Sequence, residues 1–148
     1  PCLGGDILAN YNQLNAYKET SIKTASSSKI VLMLYDEALK QMDLAVDQME
    51  NEPKNFDSIN AAIIKSQEVI TELMVSLDFD KGGEIAKNLF SLYMYFNKEL
   101  MDANVKKNPQ PVKNVRRMVS ELREAWAEIM KNPNRSSNQA GGGLNIAG

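Results

Sequence analysis

Apolar residues recur with helical period in four blocks, from about position 27 to position 131, with short polar connections between them. The densest block is Glu84 to Lys107, EIAKNLFSLYMYFNKELMDANVKK. Within it Ile85, Leu89, Leu92, Phe96, Leu100 and Ala103 stand three or four apart, which gathers them on one inward face. Ala86, Tyr93 and Leu100 widen that face by an ordinary amount. Phe90, Met94, Tyr95 and Met101 fall largely outside it. A single buried stripe has no use for them. Either this helix lies at the centre of a bundle or part of its surface is made for docking.

The other blocks are simpler. Hydroxyl side chains in Thr24-Ala25-Ser26-Ser27-Ser28 can accept from the free amide hydrogens of a first turn, so a helix is predicted from about Ser27 to Glu50. Its stripe is Val31, Leu34, Tyr35, Ala38, Met42, Ala45 and Met49, and its opening, Ile30 to Tyr35, is apolar without a break. A second helix, about Asp57 to Leu77, follows the turn at Pro53, with Asp57 as its expected N-cap. DFDKGG, Asp78 to Gly83, connects it to the dense block. Asn108-Pro109 pairs a cap residue with proline at the first helical position, opening a fourth helix to about Lys131. There Val112, Val115, Val119, Leu122, Trp126 and Ile129 keep heptad spacing, and Trp126 is assigned to the core.

Short connections make sequential helices antiparallel neighbours, so the expected fold is all-α, an up-down-up-down four-helix bundle with a short N-terminal helical or extended segment. Residues 1–23 form an arm whose apolar residues, Ile7 to Ile22, are too sparse for a stable helix alone and must lie against something. Residues 24–131 form the bundle, and 132–148, rich in Asn, Ser and Gly, are expected to be disordered.

Composition removes several chemistries. The 148 residues suffice for one domain with a sizeable core. A net charge of −2 gives no electrostatic case for nucleic acid. With no histidine and a single Cys2, there is no imidazole chemistry, no zinc set and no internal disulfide. The lone cysteine and the lack of an apolar run or signal-like start point to a cytoplasmic protein without membrane insertion. Asp78, Asp80 and Gly83 faintly resemble a calcium loop, but Leu89 stands where the bidentate Glu belongs, so a capping turn is expected instead. Glu68 with Glu72, and Glu121 with Glu124 and Glu128, sit at helical spacing on polar faces and read as solvated charges rather than paired acids. No acid–base constellation converges, so no enzyme and no cofactor are expected.

The surplus of apolar side chains remains. All eight methionines lie in the predicted helices, and Met suits both irregular cores and adaptable docking surfaces. Covering about 1,000 Å² of apolar surface contributes on the order of 25 kcal/mol gross. Ordering the backbone of a disordered ligand of about 15 residues offsets roughly 15–30 kcal/mol of that. Binding would then be moderate and reversible. A second reading is a structural four-helix oligomer, a homodimer for example, that uses the surplus to associate with itself.

TAS followed by KIVLMLYDEAL, then DFDKGGEIAKNLFSLYMYFNKELMDAN, then VRRMVSELREAW, resembles the flagellar secretion chaperone family FliS, over about Tyr17 to Ile129. The resemblance implies a bundle that binds the disordered C-terminal segment of flagellin, prevents premature polymerisation, and keeps flagellin competent for the flagellar type III export apparatus. It also implies an N-terminal arm that shields the groove, using Tyr17 and Ile22. The groove itself would draw on Ile30, Leu34 and Tyr35, then on Leu89, Phe90, Tyr93, Met94, Tyr95 and Asn97, with Asn104 bonding the ligand backbone.

Overall fold

The computed structural model describes residues 27–132. Four helices account for nearly all of them: α1 (Ser27–Asn51), α2 (Phe56–Val75), α3 (Phe79–Lys106) and α4 (Pro109–Lys131). The chain divides into two compact units, Pro1–Ile30 and Val31–Gly148, and of the first only the opening turn of α1 is described.

Helices α2, α3 and α4 each start where a side chain takes up a free amide hydrogen. Asn55 Oδ1 accepts from Ser58 N at 3.3 Å, so Asn55 caps α2 and Asp57 falls inside the first turn instead of capping it. Asp57 still helps, because a carboxylate near a helix N-terminus faces the positive end of the dipole. Asp78 Oδ1 accepts from Lys81 N at 3.1 Å, so the acidic stretch before the glycines is a cap, as its spacing indicates. Asn108 Oδ1 accepts from Gln110 N at 3.0 Å with Pro109 opening α4 behind it.

DFDKGG is not the plain connection its composition indicates. Helical turns already begin at Phe79 and continue across a kink at Gly83 (φ 51°, ψ −126°). That backbone angle costs glycine little and any L-residue a good deal. Lys107 ends α3 in the left-handed region, with Asn108 N bonded to Ala103 O and Lys107 N to Asn104 O. Those two bonds form a Schellman motif, which usually has glycine at this position.

The order of the contacts fixes the topology. Along α1, Asp36, Asp43 and Glu50 meet Arg123, Arg116 and Lys113 of α4, at 2.8, 2.9 and 3.1 Å. The α1 numbers rise as the α4 numbers fall, so the two helices are antiparallel. Exposed pairs such as these add little stability; they show that the α1–α4 seam is closed by charge. Across the α2–α3 seam, Gln67 Nε2 donates to Asn97 O at 3.1 Å and Lys107 Nζ to Asn60 Oδ1 at 2.7 Å, again in antiparallel order. The result is an antiparallel four-helix bundle.

Its interior is filled by Leu34, Ala38, Met42 and Ala45 of α1, Ile59, Ile63, Ile70 and Leu73 of α2, and Val112, Val115, Val119 and Trp126 of α4. From α3 the most deeply buried residues are Ala86, Tyr93, Phe96, Leu100 and Ala103, while Ile85, Leu89 and Leu92 are half-buried. The inward face of α3 is therefore centred one row over from the Ile85–Leu89–Leu92 row. Ser66 sits in this apolar interior at no cost in unmade bonds, because its hydroxyl donates to Ala62 O one turn back at 2.8 Å.

Candidate partner-binding face

The side of α3 turned away from the core is also apolar. At about 100° per residue, Phe90, Met94, Asn97, Met101 and Val105 share an arc of roughly 80°, about 120° around the helix from the inward row. Met94, Met101 and Val105 are 54, 53 and 78% exposed, and Phe90 is exposed as well. Surface apolar side chains scattered singly need no explanation, but a continuous row of them does.

α2 extends the row sideways. Asn97 bonds to both Gln67 and Thr71 of α2, its Nδ2 donating to Thr71 Oγ1 at 3.2 Å. This register sets Val75 of α2 level with Phe90 and Ile64 level with Met101. Val75 and Ile64 are both exposed. Phe79, exposed in the turn before Gly83, meets Phe90 edge-on with ring centroids 5.9 Å apart and lengthens the apolar end. The face thus has apolar residues toward both ends and a polar waist at Thr71 and Asn97. From Phe90 to Val105 it runs about 22 Å at 1.5 Å per residue.

The residues predicted for the groove divide sharply. Phe90 and Met94 lie on this face, and Asn97 lies half-buried at its waist. Tyr95 is exposed but lies about 120° further round the helix, with its ring against Phe96 at 6.3 Å. Leu34, Tyr35 and Tyr93 are core residues at 2–3% exposure, and Ile30 is buried too. The unbroken apolar run that opens α1 is the physical reason: Leu34 and Tyr35 take its inward positions, leaving Val31, Leu32 and Met33 half-buried.

Leu89, half-buried, joins Tyr35, Tyr93 and Trp126 around a cleft of about 20 Å³ at the end of the bundle where α1 begins. That is room for about one water molecule and not for a ligand side chain. The Asn104 carboxamide oxygen accepts from Lys107 Nζ and braces the end of α3, which leaves its Nδ2 hydrogens to donate. Tyr17 and Ile22 lie outside the described residues.

Val105, Met101, Val75 and Ile64 were absent from that expected groove. Met101 is recognisable in the sequence as surplus to the inward face. Val75 and Ile64 are not, because an apolar residue beside a full stripe looks like the edge of the stripe until the neighbouring helix is placed.

Among the described residues no group of three or more His, Cys, Asp and Glu side chains could hold a metal ion, and no helix is long and apolar enough to cross a membrane. Tyr35 and Tyr93 are a buried titratable pair. Burial pushes both phenols above their ordinary value, so they stay neutral and serve packing.

Known proteins resemble the chain along most of its length. The family model described as "Flagellar protein FliS" matches residues 10–133. The flagellar secretion chaperone FliS of Bacillus subtilis is 29% identical over 135 residues, covering 91% of this chain and 98% of that protein. Its counterpart in Vibrio cholerae is 33% identical over 122 residues, covering 78% of this chain and 87% of the relative. The crystal structure of a flagellar chaperone from bacteria superposes with a TM-score of 0.66 over 81% of this chain and 98% of its own, and at 14% identity it speaks for the fold alone. A helical bundle with an exposed apolar row suits a chaperone, and the sequence match says which kind: the chain belongs to the FliS family of flagellar secretion chaperones, which are not enzymes.

Proposed function

We propose that this chain binds the C-terminal segment of flagellin in the cytoplasm, prevents its premature polymerisation, and holds it competent for the flagellar type III export apparatus. The observation that carries the reading is the apolar row Phe90, Met94, Met101 and Val105, flanked by Ile64 and Val75. A monomer gains nothing by leaving such a row in water, and a helix laid along it would remove that surface from solvent. Phe90, Met94 and Asn97 are the expected groove residues that can take part directly, and Tyr95 would be reached only by a ligand that continues around α3. Tyr17 and Ile22 are proposed to shield the face in the free chaperone, with residues 1–23 as the arm, 24–131 as the bundle and 132–148 as a tail outside the binding unit.

Family membership supports the reading, since the relatives are named flagellar secretion chaperones. Calorimetric titration of the full chain with the C-terminal segment of the cognate flagellin tests it. One segment bound per chain, with a negative heat-capacity change from apolar burial, is the expected result. A protein that light scattering finds to be an obligate dimer, and that is indifferent to the segment, would replace this reading with self-association through the same face.

A further inference from the structure

The apolar face is interrupted at its middle. Thr71, exposed on α2, and Asn97, half-buried on α3, are joined by the hydrogen bond from Asn97 Nδ2 to Thr71 Oγ1 at 3.2 Å. Asn97 stands seven residues after Phe90 and eight before Val105, so apolar surface continues about two turns to either side.

Two features make this pair more than a bond that happens to close the seam. The hydroxyl of Thr71 accepts from Asn97 and keeps its own hydrogen to donate. The other carboxamide atom, Asn97 Oδ1, is buried without a hydrogen-bond partner. Turning the carboxamide over would bury Nδ2 where Oδ1 now lies without a partner, so the bond stays as it is, with Asn97 donating to Thr71 and the hydroxyl hydrogen left for a ligand. The waist thus offers a ligand acceptor the Thr71 hydroxyl hydrogen.

We propose that Thr71 and Asn97 set the register of the bound segment, by hydrogen bonding a polar side chain that the bound helix carries in the middle of its otherwise apolar face. This rests on the flagellin reading above and names what the segment must look like. Its buried face carries Asn, Gln, Ser or Thr with apolar residues about two turns before and after. An entirely apolar ligand face would strand the Thr71 hydroxyl hydrogen in a dry interface, whereas a matching polar residue satisfies it at one position along the groove only. A single polar residue in the seam of a coiled coil acts in the same way, giving up some affinity to fix alignment.

The experiment uses the full chain and two peptides: the C-terminal segment of the cognate flagellin, and a copy in which the polar residues on its apolar face are replaced by Leu. Kd is measured for both with the native chaperone, with T71V, and with T71V/N97L, circular dichroism establishing that each is folded. The native chaperone is expected to prefer the native segment by about tenfold, T71V to lose most of that preference, and T71V/N97L to favour the Leu copy. An unchanged preference in folded T71V or T71V/N97L overturns the register role and leaves the flagellin reading standing. Failure of the native chaperone to bind either peptide overturns both. T71V changes an exposed position by one atom, so it decides the matter if the double variant does not fold.

Discussion

Tyr35 of α1 and Tyr93 of α3 share a hydrogen bond, hydroxyl to hydroxyl, at 2.5 Å, although 58 residues separate them in the chain. α1 pairs with α4 by its charged ladder and α3 pairs with α2 by the Gln67 and Asn97 bonds, so this contact crosses the bundle from one pair to the other. It replaces water for both hydroxyls in an interior that offers little else to bond. Each tyrosine makes the other tolerable.

Removing both of them should therefore cost less than the two single losses added together. Tyr93→Phe leaves the buried Tyr35 hydroxyl without its partner and is expected to lower stability by about 1–3 kcal/mol. Tyr35→Phe should do much the same. The double variant should lose clearly less than the sum, since no orphaned hydroxyl remains. Urea unfolding of the four proteins gives the coupling directly, and additive losses would mean that the two hydroxyls act independently.

The same pair predicts behaviour in alkali. Both phenols are raised from the ordinary value of 10.0, chiefly by burial. Folding thus favours their protonated forms, and the unfolded chain releases those protons first as pH rises. The stabilisation is complete below about pH 10 and declines above it. Stability measured between about pH 9 and 11 should fall more steeply for the native protein than for Tyr35→Phe/Tyr93→Phe. Parallel curves would show that other groups govern alkaline unfolding.

Gly83 is the one described glycine with positive φ, and a Cβ built on it meets nothing within 4 Å. A substitution there meets no steric neighbour, so its cost is that of the backbone angle alone. Gly83→Ala should lower stability by about 1–2 kcal/mol, and Gly82→Ala by less. Thermal melts of the two variants make the comparison. Equal losses would show that the kink relaxes readily.

Lys107 raises the complementary case, a side chain kept where glycine would be easier. Its φ of 51° is left-handed, yet its ammonium bonds Asn60 at 2.7 Å, meets Asn104, and lies 5.7 Å above the Phe56 ring. Lys107→Gly should relieve the backbone by about 1 kcal/mol while losing these contacts, and Lys107→Ala should lose the contacts with no relief. Alanine is therefore expected to be the more damaging change, by about 1 kcal/mol in urea unfolding.

What the sequence could and could not disclose follows from the range of the interactions. The four helices, the caps at Asp78 and Asn108, and the placing of Trp126 in the core rest on residues a few positions apart, and spacing alone conveys them. Asn55 displacing Asp57 as a cap is a local competition in which both side chains were eligible. The groove is different. Whether Tyr93 or Met94 faces solvent depends on which flank of α3 meets α2, and a one-row shift of the inward face decides it. Tyr35 and Tyr93 are large, amphipathic and adjacent to exposed residues, so from sequence they look like docking residues. Only their mutual bond across the bundle shows that the interior has room and a partner for them.

That distinction between flanks can be tested by charge. Met94→Asp and Met101→Asp place a carboxylate on the exposed row beside the Thr71–Asn97 waist, where the free protein leaves it hydrated. Melting should be nearly unchanged, because surface substitutions of this kind stay within about 0.5 kcal/mol. Binding of the flagellin C-terminal segment should weaken by on the order of a hundredfold, since a helix seated there would bury the charge without a partner. Leu34→Asp should instead unfold the bundle, its side chain being 2% exposed. Tyr95→Asp, about 120° round α3 from the row, should keep the fold and weaken binding less than Met94→Asp. If the order is reversed, with Tyr95→Asp abolishing binding and Met94→Asp sparing it, the ligand lies on the opposite flank of α3, and the α2–α3 seam is not the groove.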